Sequence, residues 1–261
     1  MKISVITATF NSYPSIKDCI HSLVSQQNVD LEHIVIDGGS TDRTLDFIKD
    51  SPLRSRIVSE PDRGIYDALN KGIKMATGDV IGFLHSDDSF ASPLVLSSLV
   101  SEFERTKADG IYGDLVYVLR EDTGKIIRVW KSTGFRSWYL KYGWMPAHPT
   151  LFLKREVYQK CGQFDLNYKI AADYDFIQRI FKEESLKFAY LPIITTKMKI
   201  GGASNKNLKN IRCKMIEDYR IIRKNHVGGW YTLLLKNLMK VNQFIGAGYK
   251  SDPQTSHIKI F

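Results

Sequence analysis

Four short apolar runs, each followed by a segment with helical spacing, constrain this chain more than any other feature. The runs are 2–8 (with Ile3, Val5 and Ile6), 31–36, 56–59 and 79–84. The segments between and after them are 13–27, with Ile16, Ile20, Leu23 and Val24 on one face, then 43–49, 64–76 and 93–105. Strand alternating with helix predicts an α/β fold, a mostly parallel sheet with helices on both faces. In such sheets ligands gather at the C-terminal strand ends. Polar groups stand at three of those ends: Thr9 to Asn11, Asp37 to Asp42, and Ser86 to Asp88.

The fourth run, Val80 to Leu84, leads into the adjacent carboxylates Asp87 and Asp88. Two neighbouring anions repel and need compensation. Carboxylate oxygens suit a hard divalent cation, Mn2+ or Mg2+. The plainer reading is a polar loop in which Asp88 or Ser89 caps the helix beginning near Pro93. By the same capping logic, Ser40 or Thr41 starts the helix at Arg43. Arg63 enters the third helix, where it can pair with a diphosphate or remain a solvated charge, and Asn70 faces the donor from the same helix.

Beyond Lys107 the alternation stops. Residues 111–119 and 125–130 read as strands of a hairpin closed by Glu121-Asp122-Thr123-Gly124. An aromatic stretch follows, and its Trp138, Tyr142 and Trp144 either stack on an acceptor or pack together. Next come the Pro-flanked loop carrying His148, a strand at 151–153, and a helix over 170–183 that opens with Asp173 and Asp175. His148 is expected to contact diphosphate or acceptor at the cleft border.

The 261 residues, 43% of them hydrophobic, suffice for one large domain with an appendage. Cys19, Cys161 and Cys213 lie far apart without metal-ligand spacing, which argues for a reducing compartment. With no signal-peptide pattern and no run of roughly 20 apolar residues, a cytoplasmic location is expected. The net charge of +9 is concentrated between Lys206 and Lys250, where ten Lys/Arg face only Glu217 and Asp218. Residues 206–224 read as a helix with Ile211, Met215, Tyr219 and Ile222 on one stripe. Residues 230–245 read as a second, apolar at Leu234, Leu235, Leu238, Met239 and Val241. Basic amphipathic helices of this kind suit an anionic membrane face, or pack on the body with a solvated basic side.

Val5 to Asn11, Val35-Ile36-Asp37-Gly38-Gly39-Ser40-Thr41-Asp42, Ser86-Asp87-Asp88 and Ala172-Asp173-Tyr174-Asp175, in this order, resemble family 2 of the inverting glycosyltransferases, with the GT-A fold. Around Ala147 to Phe152 the chain looks like the members that build bacterial surface polysaccharides. The resemblance implies a nucleotide-diphosphate-sugar donor, a UDP-sugar, and a hydroxyl of a lipid-diphosphate-linked saccharide as acceptor, such as an O-antigen or lipopolysaccharide precursor. It implies a catalytic domain over residues 1–204, with a nucleotide-sugar half (1–107) and an acceptor half (108–204), then a basic helical segment (205–250) and a tail (251–261). Thr9 and Phe10 would flank the base with Asp37 beside it, and Asn11 and Ser86 would line the same donor site. Asp87 and Asp88 match the metal motif, with Asp88 the direct ligand, and Asp173 matches the catalytic base. Gly38 departs from the second Asp of many members, and His85 stands where another polar residue is more usual.

Sugar transfer needs a stabilised leaving diphosphate, which a metal supplies as Lewis acid, and a carboxylate as general base. Asp173 is that candidate, with helix capping as its plainer role and Asp175 as its rival. The resemblance, together with the basic C-terminal helices, therefore implies a metal-dependent transferase peripherally bound at the inner membrane. A sugar-phosphate nucleotidyltransferase is the enzymatic alternative, though residues 7–12 lack a phosphate loop. A polyanion-binding protein acting through the basic tail is the other, and it leaves the near-neutral remainder unexplained, so no nucleic-acid partner is expected.

Overall fold

The computed structural model describes residues 1–201 and 208–239. The expected helix start at Lys206, the end of the helix running to Ile245 with Lys240 and Val241, and the tail 251–261 lie outside the described residues. In the first half the strand–helix alternation is present: β1 (Lys2–Thr9), α1 (Ile16–Val24), β2 (Asp30–Asp37), α2 (Thr44–Asp50), β3 (Ser55–Ser59), α3 (Ile65–Met75), β4 (Val80–Phe83), the short β5 (Ser89–Phe90) and α4 (Val95–Thr106). The second half contains β6 (Gly110–Val118), β7 (Ile126–Trp130), β8 (Phe152–Lys154), α5 (Arg155–Cys161), α6 (Ala172–Lys182), β9 (Phe188–Lys199), α7 (Leu208–Lys224) and α8 (Trp230–Leu238).

Among the described residues one sheet runs β3-β2-β1-β4-β8-β6-β9-β5, with β7 paired to β6. β3, β2, β1 and β4 are parallel, with Thr9 opposite Asp37 and Ile6 opposite Phe83. This register lines up the polar ends at one edge. β8 then runs antiparallel to both β4 and β6. Period-two alternation sorts the core. Ile6, Ala8, Ile34, Ile36, Ile81 and Phe83 face one layer, which includes α3 and α6, while Ile3, Val5, Val35, Val80 and Leu84 face the other, with α1 and α4.

Strand β9 was not anticipated. Its Pro192 and half-buried pattern disguise a long strand, although Ile193 to Thr196 carry the β-branched signal. Helix α5 was missed too, being only seven residues long.

Gly82 in β4 lies against Phe152 of β8, and a Cβ there would fall inside the ring. Gly82→Ala is expected to cost about 1–3 kcal/mol through overpacking. This should be read as a lower urea midpoint at unchanged slope; an unchanged midpoint would show that the ring moves aside freely.

The C-terminal helices pack on the body partly through buried charges and leave much of their apolar stripes exposed. In α7 the buried residues are Glu217, Asp218, Ile221 and Ile222; of the expected apolar stripe Ile222 is therefore packed, whereas Ile211, Met215 and Tyr219 are 42%, 47% and 40% exposed. In α8 Lys236 is buried while Leu234 and Leu238 are exposed. The physical reason is ionic: Lys236 Nζ meets Asp218 Oδ1 at 2.7 Å inside the packed surface and lies 3.1 Å from the Tyr174 ring centroid. Such a pair tolerates burial because each charge has its partner.

Candidate active site

The loops after β1 and β2 are stitched together. The Asn11 amide donates to Ser40 Oγ at 2.8 Å, the Thr41 amide to Asn11 Oδ1 at 2.9 Å, and the Gly38 amide to the Thr9 carbonyl at 2.9 Å. Asp37 is fully buried. Its carboxylate accepts from the amides of Gly39 and Ser40 and from the hydroxyls of Ser40 and Ser59, so it shapes this loop from within. Ser40 is therefore turned toward Asp37 rather than capping α2, whose N-terminus is met instead by Asp42 Oδ1 at 3.0 Å from the Thr44 amide. Phe10 remains 62% exposed, as an apolar ring at the cleft mouth, and Thr9 Oγ1 is buried without a partner. Gly38 is closely bordered by Asp62 and Phe10: a Cβ there would stand 3.0 Å from Asp62 Oδ2 and 3.3 Å from the Phe10 ring.

The loop after β4 joins this cluster through the Ser12 and Ser86 hydroxyls, 2.9 Å apart. Asp87 is partly exposed, with Arg120 Nη2 at 3.8 Å from its Oδ2. Asp88 is completely buried, and among the described residues neither carboxylate oxygen makes a hydrogen bond of normal geometry. Burial pushes its carboxyl well above the usual range, the Asp87 charge adds to this, and the Lys199 backbone and ammonium oppose it only in part. The plainer capping role is ruled out, since α4 has no side-chain cap. An ionisable group left buried and unpaired is costly. The donor set fits a hard cation that takes one or two carboxylates and completes its shell with phosphate oxygens and water. Among the described residues no group of three His, Cys, Asp or Glu side chains could hold a metal by itself.

Opposite stands Asp173, in the first turn of α6. His148 Nδ1 lies 3.0 Å from its Oδ2, and the Tyr66 hydroxyl lies 3.0 Å from its Oδ1 and 2.7 Å from the Ile170 carbonyl. Burial would raise this carboxyl, but the charge and hydrogen bond of His148, with the ammonium charges of Lys214 and Lys236, carry it well below the usual range. The group is ionised at neutral pH and is not the helix cap, because α6 has no side-chain cap of its own. Tyr66, which the sequence reading did not single out, has its hydroxyl pKa raised well above its ordinary value by burial and by the Asp173 charge. His85 packs edge-on against His148 with ring centroids 5.7 Å apart; burial, then the His148 charge, lower its pKa to about 4.

Other expected residues lie elsewhere. Asn70 is buried and uses both amide atoms on the Phe164 backbone, at 2.9 and 3.0 Å, which bridges α3 to the segment before α6. The Arg63 guanidinium meets Asp67 Oδ1 at 3.1 Å one turn along α3, while its side chain is 79% exposed. Asp175, the rival base, is fully buried and paired with Arg179 at 2.9 Å and Lys224 at 3.3 Å; no acceptor hydroxyl reaches it. Trp144 packs in the core against Tyr112 and Phe181. Trp138 and Tyr142, half exposed, line a cavity of about 340 Å³ with Thr133, Tyr139, Trp144 and Met239.

Residues 4–162 match the family model described as glycosyl transferase family 2. A Mycobacterium bovis protein named PGL/p-HBAD biosynthesis glycosyltransferase is 31% identical over 215 residues, 77% of this chain and 78% of its own length. Among solved structures, S. aureus TarS 1-349 in complex with UDP-GlcNAc superposes with a TM-score of 0.65 at 17% identity, covering 95% of this chain and 72% of that one. The chain spans only 43% of the longer S. aureus TarS structure. A mannosyltransferase from Pyrobaculum calidifontis in complex with GDP-Man and Mn2+ superposes with a TM-score of 0.61 at 17% identity, covering 94% and 73%. At these identities the structural likeness carries the GT-A fold.

Proposed function

Because this chain belongs to glycosyl transferase family 2, we propose that it moves a sugar from a UDP-sugar to a hydroxyl of a lipid-diphosphate-linked saccharide, with inversion at the anomeric carbon and with Mn2+ or Mg2+. The observation that carries the reading is Asp88, a buried carboxylate beside Asp87 at the end of β4, both of whose oxygens lack a hydrogen bond of normal geometry among the described residues. Two carboxylates so placed would hold a cation against the donor diphosphate. The cation, when bound, supplies Lewis-acid neutralisation of the leaving group. Thr9, Phe10, Asn11 and Asp37 form the wall proposed for the nucleotide, with Ser86 beside the diphosphate. The proposed base is Asp173, held ionised by His148. It takes the acceptor hydroxyl proton as that oxygen bonds to the anomeric carbon. The carbon–oxygen bond to the diphosphate breaks on the opposite face, and its electron pair leaves with UDP. His148 borders acceptor and diphosphate in this arrangement. Arg63 stays a proposed diphosphate contact only if its guanidinium leaves Asp67, and Asn70 acts on the site through the Phe164 backbone.

UDP release should be measured across UDP-glucose, UDP-N-acetylglucosamine and GDP-mannose, with a synthetic lipid-diphosphate saccharide and either cation. Acceptor-dependent release from a UDP-sugar is expected. Turnover of GDP-mannose alone would overturn the nucleotide assignment, and full activity with a water-soluble sugar alone would overturn the lipid-linked acceptor.

The same reading proposes a cytoplasmic enzyme resting on an anionic inner-membrane face. Exposed Met215 and Tyr219 of α7 and Trp230, Leu234 and Leu238 of α8 stand with exposed Arg212, Arg220 and Arg223, the composition of an interfacial surface. Lys224 is not part of that face, because its ammonium meets Asp165 and Asp175. Among the described residues no helix is long and apolar enough to cross a membrane. Charge reversal at Arg212, Arg220 and Arg223 is expected to lower binding to phosphatidylglycerol vesicles, as is high salt. Unchanged vesicle binding would return these residues to a solvated face.

A further inference from the structure

We infer that Glu217 of α7 is a positioning residue for Asp173, so that the C-terminal helices complete the active site. The inference rests on the assignment of Asp173 as base.

Glu217 and Asp218 are the only acids between Lys206 and Lys250, and both are buried, at 6% and 2% exposure. A buried carboxylate needs strong compensation. Glu217 finds it in three consecutive backbone amides, from Lys169 at 2.9 Å, Ile170 at 3.0 Å and Ala171 at 2.9 Å. These amides directly precede α6, where helix geometry leaves N–H donors without intrahelical partners. Ala171, at the N-cap, has no side-chain acceptor to offer. The carboxylate that stands in comes from a different helix, 46 residues away from Ala171, and the positive end of α6 favours it.

The amides held by Glu217 lie within four residues of Asp173, and the segment is tied to it again in space. The Ile170 carbonyl faces the Tyr66 hydroxyl at 2.7 Å, and the same hydroxyl stands 3.0 Å from Asp173 Oδ1. A second anchor sits one residue beyond Asp173, where Lys236, paired with Asp218, lies against the Tyr174 ring. Together the acids of α7 set the start and the rotation of α6, and hence the direction in which Asp173 presents its carboxylate to His148. Without Glu217, three amides lose their acceptor and the first turn of α6 is free to shift. A displacement of about 1 Å at a reacting group costs up to about 10²-fold in rate.

The test is a double-mutant cycle on the full chain. Turnover is read as UDP release from UDP-N-acetylglucosamine or the UDP-sugar selected above, and UDP affinity by calorimetry. Glu217→Ala is expected to lower kcat on the order of 10- to 100-fold, with UDP affinity within about twofold of the parent. Glu217→Gln, whose amide oxygen still accepts, is expected to fall between the two and to keep the thermal midpoint if Glu217→Ala unfolds. In an Asp173→Asn background, Glu217→Ala should cost less than about twofold further, because a residue acting through Asp173 has nothing left to position. Equal fold-losses in both backgrounds, a loss confined to UDP affinity, or normal kcat in Glu217→Ala would each overturn the inference while leaving the base intact. Near-normal turnover of Asp173→Asn alone would instead remove the base assignment, and the inference with it.

Discussion

Asp173→Asn is expected to lower turnover by roughly 10²-fold or more, the scale of a lost general base, with UDP affinity and thermal stability near those of the parent. The expectation follows from what the carboxylate touches. One oxygen meets His148 Nδ1 and the other meets the Tyr66 hydroxyl. An amide of the same shape can keep one acceptor on those neighbours, so the local packing survives. It cannot take a proton. Glu217 takes the N-cap amide of α6, and among the described residues no backbone amide donates to Asp173, so a stability loss from a missing cap is not expected. His148→Ala supplies the complementary measurement. It removes the charge that most lowers the Asp173 carboxyl against the upward push of burial, so it should reduce turnover less than Asp173→Asn does. A larger loss in His148→Ala than in Asp173→Asn would make the imidazole the proton acceptor and Asp173 its orienting partner.

The second large effect is expected at Asp88. Asp88→Asn, or removal of divalent cations by EDTA, should lower turnover by roughly 10³-fold, since a bound cation contributes several kcal/mol of charge stabilisation at about 1.4 kcal/mol per tenfold. Added Mn2+ or Mg2+ should restore the chelated parent but not the variant. The structure adds a signature that an ordinary loss of function lacks. Asp88 is buried, and among the described residues both its oxygens lack a hydrogen bond of normal geometry; replacing a carboxyl whose ionised form is so disfavoured relieves a penalty. In EDTA the Asn variant should therefore melt at or above the parent temperature, while with cation present it is far less active, the trade between stability and activity common at functional sites. A variant that is both inactive and markedly unstable in EDTA would make Asp88 a structural residue. Full parental activity in EDTA would remove the metal from the reaction.

The first half of the fold was open to reading because its signals are local. Val80 to Leu84 is apolar and short, so it had to be a buried strand, and the parallel register carries its following carboxylates to the same edge as Thr9 and Asp37. The resemblance added roles that periodicity alone could not supply, above all for Asp173. The same local logic could not show what Asn70 and Arg63 touch. Asn70 lies on α3 and Arg63 just before it, yet the contacts that occupy them, the Phe164 backbone and Asp67, are matters of side-chain direction and distant loops. Helix α7 is the clearest case. Its apolar spacing left open whether the stripe of Ile211, Met215, Tyr219 and Ile222 meets a membrane or packs on the body; two acids with partners on other elements fix the buried side, so that Ile222 packs while Ile211, Met215 and Tyr219 stay exposed.

What the chain determined by itself is the alternation of strand and helix, the polar strand ends, and the paired carboxylates after β4. All of these arise from side-chain periods of 2.0 and 3.6 acting over a few residues. Only the tertiary structure decided which groups meet across long stretches of chain. Tyr66 reaches Asp173 over 107 residues, and Glu217 reaches the start of α6 from a basic segment. Asp88 ends buried without a hydrogen bond of normal geometry among the described residues, while Asp175, two positions from the proposed base, is paired away from solvent. Such pairings depend on where folded elements come to lie and on matching each buried charge to a partner, and no local periodicity encodes either.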